Sequence, residues 1–335
     1  MRRATASQAR YALAMATEHE RIAALRRLFP AASPAVAMGI GDDAAVLHPP
    51  GKPLVWTVDD QVEGVHFHRR WLSFRDVGYR AVMAAVSDVA AMGARPLALL
   101  TSWTLPPRFD DGSFTELAEG VAEAASICGA VVAGGNLAAG ANVAISTTVL
   151  GVADAPKLRR GAAPGELVCL GGAVGLAAAG LRLLAAGLPA EPLVDDAKRN
   201  AIAAAVEAFR RPRAQLALGI VAAAQASALI DVSDGLVQDA GHLATASGVR
   251  LVLELDAILA AGGASLAVAA AAAGADPRAL ALAGGEDYAL LATAPVCPPG
   301  FLAIGRVEAG AGVEVRERGE VVEALAGFDH FMGAR

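Results

Sequence analysis

Several common devices are missing from this 335-residue chain. Its three cysteines, Cys128, Cys169 and Cys297, lie far apart and form no CxxC pair. That argues against a disulfide framework or a structural zinc site, and for small buried residues in a reducing cytosol. No G-x-x-x-x-G-K-[ST] loop occurs, since Gly51-Lys52 is followed by Pro53. No complete G-x-G-x-x-G follows a strand candidate, and the HRD and DFG signatures are absent, so the usual phosphate-binding loops are excluded. Basic residues are not in excess. The net charge is −6, and an acidic surface repels phosphate backbones, so nucleic acid is not an expected partner. Long apolar runs are lacking too. The mean hydropathy of +0.46 comes mostly from alanine, and stretches such as 263–275 fall short of the roughly 20 residues of a membrane-spanning helix, so no membrane partner is expected. The apolar part of the N-terminus, residues 11–16, is too short for a signal peptide and runs into Glu18, His19 and Glu20. Residues 1–17 are read as a disordered tail, and the protein as cytoplasmic.

What is present is a globular composition, 55% apolar and 19% charged, long enough for two domains. Runs rich in Val, Leu and Ile predict strands over 53–58, 97–103, 130–133, 143–152, 166–170, 228–232, 249–254, 287–293 and 301–307. Ala-rich periodic segments predict helices over 18–28, 76–92, 113–128, 175–186, 196–209, 214–225 and 235–246. The mixture is α/β or α+β. The segment 153–166 (ADAPKLRRGAAPGE) carries two prolines, two glycines and three basic residues between two strand candidates. It divides the chain into an N-terminal domain, 18–153, and a C-terminal domain, 154–335. A second loop is expected at 187–195.

The aspartates are placed with a pattern. Asp42 and Asp43 lie in GIGDDAAVL, Asp59 and Asp60 follow PLVWTV, and Asp231 and Asp234 flank Ser233 in ALIDVSDGL. Carboxylates at strand ends and helix starts stand where ligands bind in α/β folds. Without basic partners they repel one another unless a divalent cation neutralises them, and magnesium takes a few carboxylate oxygens plus water and phosphate. Each motif has a plain structural reading as well. Asp42 can be a turn residue or cap, Asp59-Asp60 a turn, and Ser233 and Asp234 the cap of the helix that follows. Asp88 is different, because an ionised aspartate in AAVSDVAAMGA costs several kcal/mol unless paired or metal-bound.

Taken together, GIGDDAAVL (39–47), VDDQVEGVHF (58–67), DVGYRAVMAAVSDVAAMGARP (76–96), VVAGGN (131–136), RRGAAPGE (159–166), IDVSDGLVQDAGHLATASGV (230–249), GGEDYAL (284–290) and GFDHF (327–331) resemble the thiamine-monophosphate kinase family. That family belongs to the aminoimidazole ribonucleotide synthetase-like superfamily. The resemblance implies two domains, each a mixed sheet with packed helices. It also implies a homodimer through the N-terminal domains and an ATP site with several Mg²⁺ ions, completed by the C-terminal domain. By motif, Asp43, Asp59, Asp88, Asn136, Asp231 and Asp234 look like metal ligands, with Thr57 assisting. Arg159 and Ser233 look like ATP contacts, and His66, Glu286 and Phe328 like contacts to thiamine monophosphate. Asn136 stands where many members have Asp, so the site has one negative charge fewer. Leu176 stands where members commonly have an acidic residue.

The implied reaction yields thiamine diphosphate, the last step in making that coenzyme. The substrate phosphate is already anionic, so no general base is expected and transfer is direct and in line. Two rivals stay open. One is a selenophosphate or ribonucleotide synthetase-like enzyme, the other a catalytically weak binding or maturation scaffold of the same fold. The selenophosphate enzyme is disfavoured because no cysteine precedes Asp42.

Overall fold

The computed structural model describes residues 18–29, 36–38, 46–47, 51–187 and 196–323. The expected tail, Asp42 and Asp43, most of the 187–195 loop, and the terminal motif with Phe328 lie outside the described residues. After α1 (Glu18–Leu28) come the short strands β1 (Val36–Met38) and β2 (Val46–Leu47), which pair with each other. The N-terminal half then runs β3 (Leu54–Val62), α2 (Phe74–Ala91), β4 (Arg95–Leu105), α3 (Asp111–Cys128), β5 (Val131–Ala139) and β6 (Ala144–Val152). Its sheet has the order β3-β6-β4-β5, antiparallel except for the β4–β5 pair.

β3 alternates, as a strand with one covered face must. Val55, Thr57, Asp59 and Gln61 turn toward the core, and their partners Val149, Thr147 and Ile145 are fully buried. Trp56, Val58 and Asp60 turn outward. α2 lies on the inner face. Ser73 starts it with a capping box closed by Asp76, and from Val77 to Ala91 only Asp88 is not fully buried. α3 packs against α2 at close range, because a Cβ on Gly120 would stand 1.9 Å from the Arg75 carbonyl oxygen.

The C-terminal half is larger. It follows the order β7 (Leu167–Gly171), α4 (Leu176–Ala185), α5 (Asp196–Arg210), α6 (Leu216–Ala223), β8 (Ala228–Val232), α7 (Leu236–Ser247), β9 (Arg250–Glu254), α8 (Leu255–Ala272), α9 (Pro277–Ala283), β10 (Ala289–Ala294), β11 (Leu302–Glu308), β12 (Gly312–Glu317) and β13 (Glu320–Val322). The seven-stranded sheet is ordered β13-β12-β9-β11-β7-β10-β8, antiparallel except for β12–β9. α8 is long and apolar enough by composition to cross a membrane. However, Gly263 breaks it with φ 65°, and Leu255, Ile258, Leu266 and Ala269 are buried in the C-terminal core. It is two short core helices joined by a kink.

The structure corrects the cysteine reading, because Cys169 and Cys297 form a disulfide with Cα atoms 5.8 Å apart. They stand 128 residues apart in sequence. In the sheet, β10 and β11 flank β7 on opposite sides, so the connection between them has to cross β7. That crossing carries Cys297 over Cys169, a proximity no local spacing reveals. Cys128 stays a free buried thiol, and burial pushes its pKa up to about 12.

α2 joins the two halves. Its first turns pack into the N-terminal core, while Ala90 and Ala91 at its end pack with Leu229, Leu290 and Phe301 of the C-terminal sheet. Side chains near the end of α2 therefore stand at the seam between the sheets.

Candidate active site

The seam collects acidic groups from three elements. Thr57 on β3 donates from Oγ1 to Asp88 Oδ2 on α2 at 2.5 Å. One helical residue earlier, Ser87 donates from Oγ to Asp231 Oδ2 at the end of β8, at 2.7 Å. Burial pushes the Asp59 carboxyl up to about 7, and the charges of Glu286, Asp88 and Asp231 push the same way. Burial pushes Asp231 up to about 7 as well, with the Asp88 charge adding and the Ser87 hydrogen bond opposing. Asp88 is raised by burial against the pull of the Thr57 bond and of Arg159. Asp59, Asp88 and Asp231, distant in sequence, thus feel one another's charge in space.

Two hollows flank this group. One, of about 430 Å³, is lined by Thr57, Asp88, Asp231 and Arg159 together with Trp56, Met92, Leu229 and Ile230. The other, of about 260 Å³, is lined by Asp59, Ser233, Asp234, His66 and Glu286 together with Leu181 and Phe209. The first combines an apolar wall with one guanidinium and two carboxylates. The second carries three carboxylates beside an aromatic ring.

The Ser233-Asp234 turn is clamped from below. Asp239, in the first turn of α7, accepts the backbone N–H groups of Ser233 and Asp234 at 3.0 and 3.1 Å. Burial pushes the Asp239 carboxyl up to about 7, and the Asp234 charge adds to this. From above, the Gly285-Glu286 loop docks on the same turn. Glu286 N–H donates to the Ser233 carbonyl at 2.7 Å and Tyr288 N–H to the Val232 carbonyl at 2.9 Å. A Cβ on Gly285 would stand 2.5 Å from the Ser233 carbonyl oxygen, so this contact needs glycine. His66 closes a turn on β3, accepting Val62 N–H on Nδ1 at 3.0 Å. In the neutral ring the proton is then on Nε2.

Asn136 is not brought to this group. It pairs with Ser102, in a row that continues through Ser146 to Asp60. That row faces outward, whereas Thr57 and Asp59 face α2, and β5 is the far edge of the sheet. The position of Leu176 is explained in part. It opens α4, whose first N–H groups are served by Asp287, which accepts from Gly175 N at 2.6 Å and Ala177 N at 3.0 Å. A carboxyl group already occupies that helix start, although burial pushes its pKa up to about 7.

Asp239, Ser87, Arg80 and Tyr288 escaped the sequence reading. Arg80 had a signal of its own, since a cation amid GYRAVMAAV on a buried helix requires a partner. Asp239 sat in the quoted motif but had nothing to set it apart from a helix-surface carboxylate.

Among the described residues, no three His, Cys, Asp or Glu side chains gather closely enough to hold a metal by themselves. The donor set still fits a hard cation in part. Asp59, Asp88 and Asp231 are raised by burial and mutual repulsion, with Arg159 the cation opposing this at Asp88 and Asp231. Such a set takes a divalent cation together with phosphate oxygens, as Mg²⁺ prefers.

The chain matches the family described as AIR synthase related protein, N-terminal domain, over residues 41–153. It is 37% identical over 301 residues to the thiamine-monophosphate kinase of Mycobacterium tuberculosis, covering 88% of this chain and 86% of that protein. To the thiamine-monophosphate kinase of Aquifex aeolicus it is 35% identical over 298 residues, covering 87% of this chain and 92% of that one. Among solved structures, AaThiL complexed with AMPPCP and TMP superposes with a TM-score of 0.76 at 33% identity, covering 94% of this chain and 97% of that one. With relatives this similar over most of both lengths, the chain belongs to the thiamine-monophosphate kinase family.

Proposed function

We propose that this protein transfers the γ-phosphoryl group of ATP to thiamine monophosphate, forming thiamine diphosphate and ADP. The observation that carries this reading is the meeting of Asp59, Asp88 and Asp231 between two unlike hollows at the seam. The larger hollow suits a nucleotide, with its apolar wall for the base and Arg159 for phosphate oxygens. The smaller suits thiamine monophosphate. Phe209 and Leu181 offer apolar contact to its rings, Glu286 accepts from its amino group, and His66 donates to its phosphate.

The attacking group is an oxygen of the substrate phosphate, already deprotonated, so no side chain has to remove a proton. The new O–P bond forms as the bond from the γ-phosphorus to the leaving ADP oxygen breaks, in line. The protein's part is to hold two anions together in that orientation. Asp59, Asp88, Asp231 and Asp234 would hold Mg²⁺, with Thr57 fixing Asp88. When bound, the metal supplies positive charge against the repulsion of the two phosphates. Asp43 and Phe328 join this reading on their motifs alone. Asn136, on the outer face, is left out of the set formed within one chain.

The outer face of the N-terminal sheet supports a homodimer. Leu54, Trp56, Val58 and Leu100 stand there 47%, 76%, 64% and 41% exposed. An apolar sheet face of this kind calls for a cover, and a second copy would supply the matching one. A cytoplasmic location fits an enzyme that draws on ATP and a coenzyme precursor.

The direct test is chromatographic detection of thiamine diphosphate after incubation with ATP, Mg²⁺ and thiamine monophosphate, with thiamine and an aminoimidazole ribonucleotide precursor as controls. Product from thiamine monophosphate alone is the expected result. Turnover of the aminoimidazole precursor instead, or none of any acceptor, would refute the assignment.

A further inference from the structure

We infer that Tyr288 and Arg80 are positioning residues that act through Glu286, holding its carboxylate ready for the amino group of the bound thiamine phosphate. This deepens the reading above and rests on it.

The geometry is specific. Glu286 Oε2 accepts from Arg80 Nη2 at 2.7 Å and from the Tyr288 hydroxyl at 2.6 Å. Among the described residues, both donors to this carboxylate reach the same oxygen, and the side chain remains 25% exposed in the smaller hollow. The donors themselves are buried, Arg80 at 1% and Tyr288 at 3% exposure. Arg80 is tied further to α5, donating to the Phe209 carbonyl and stacking on the Phe209 ring at 4.5 Å. It therefore links α2, α5 and the Glu286 loop at one point. The loop backbone is strained, with φ 69° at Glu286 and 50° at Tyr288, both left-handed in residues that rarely adopt it.

Burial and the neighbouring Glu286 charge raise the Tyr288 hydroxyl well above its usual range, so it remains a donor. Arg80, buried on α2, holds the same Glu286 oxygen through its guanidinium. A carboxylate fixed by two donors loses little side-chain entropy when a ligand donates to it, and this gain in affinity comes from pre-organisation.

The test is a double-mutant cycle on Tyr288→Phe and Glu286→Gln. Y288F should raise the KM for thiamine monophosphate about tenfold, the effect of losing one hydrogen bond to a charged group. The KM for ATP and kcat should stay within about twofold. In the E286Q background, Y288F should change the KM by less than about twofold, since a residue acting through Glu286 has nothing left to position. Full additivity of the two effects, or an unchanged KM in Y288F, overturns the inference. If Y288F does not fold, Arg80→Lys, which keeps the charge and loses the planar fork, is read by the same split between the two KM values. Calorimetric titration with thiamine monophosphate separates the two readings. Wild-type protein that binds none sinks the functional reading and this inference together. Wild-type binding matched by an unaltered Kd in Y288F sinks the inference alone.

Discussion

The two sheets share a plan, mixed strands with helices packed on them, but they differ in what covers the second face. In the C-terminal sheet, β8 and β10 are buried at every residue. α7 and α8 contribute to the core on one side, while α6 and the end of α2 pack on the other. In the N-terminal sheet, among the described residues, only one face is covered, and the other presents Trp56 and Val58 at 76% and 64% exposure. A strand buried on both faces reads as an unbroken apolar run, and a strand with one bare face alternates. β8 (ALIDV) and β3 (LVWTVDDQV) differ in this way. The departures are instructive. Asp231 interrupts the buried run, and Trp56 occupies an outward position where a polar residue would be ordinary. The first marks the proposed reaction site, and the second marks the face proposed for a partner copy.

The largest expected effect breaks the comparison at the seam. Asp231→Asn and Asp88→Asn should each lower kcat about a thousandfold, roughly 4 kcal/mol of transition-state stabilisation. Circular dichroism should show an unchanged fold. A variant with near wild-type kcat at saturating Mg²⁺ would remove that residue from the ligand set. Next is the covered sheet. Thiol titration in denaturant should find one reactive thiol before reduction and three after, matching the Cys169–Cys297 bond and free Cys128. Reduction should cost roughly 2–4 kcal/mol of stability, read from denaturant unfolding with and without reductant. Three thiols in the protein as purified would show the bond is not formed. The smallest effect tests the bare face. Trp56→Glu should weaken self-association about 30-fold, roughly 2 kcal/mol, seen by light scattering as a shift toward monomer. Leu302→Glu, at 55% exposure on the C-terminal sheet, should leave the mass unchanged. Equal behaviour of the two variants would undo the distinction between the faces.

Much of the fold was legible locally. The strands at 144–152, 228–232 and 302–308 and the helices at 18–28 and 196–210 fall where apolar period and β-branched content put them. α8 was missed because Gly262-Gly263 and an alanine tract erase the helical period, and β12 (GVEVRE) and β13 (EVV) because each is short and its few valines stand among charged residues. At the site, the suspicion attached to Asp88 rested on a local cost, a charge on a buried helix, and such a cost is visible in sequence. The clamp by Asp239 and the anchoring of Glu286 were not visible, since each depends on which loop docks on which.

The sequence by itself therefore determined most of the element types and the family, because these follow from local pattern and ordered motifs. Only the tertiary structure decided that Cys297 crosses Cys169, that Asn136 faces away from Asp59, and that Arg80 and Tyr288 converge on one oxygen of Glu286. Those outcomes depend on strand order and face. Contacts between residues a hundred or more positions apart are set by how whole sheets and helices pack, and no short stretch of chain encodes them.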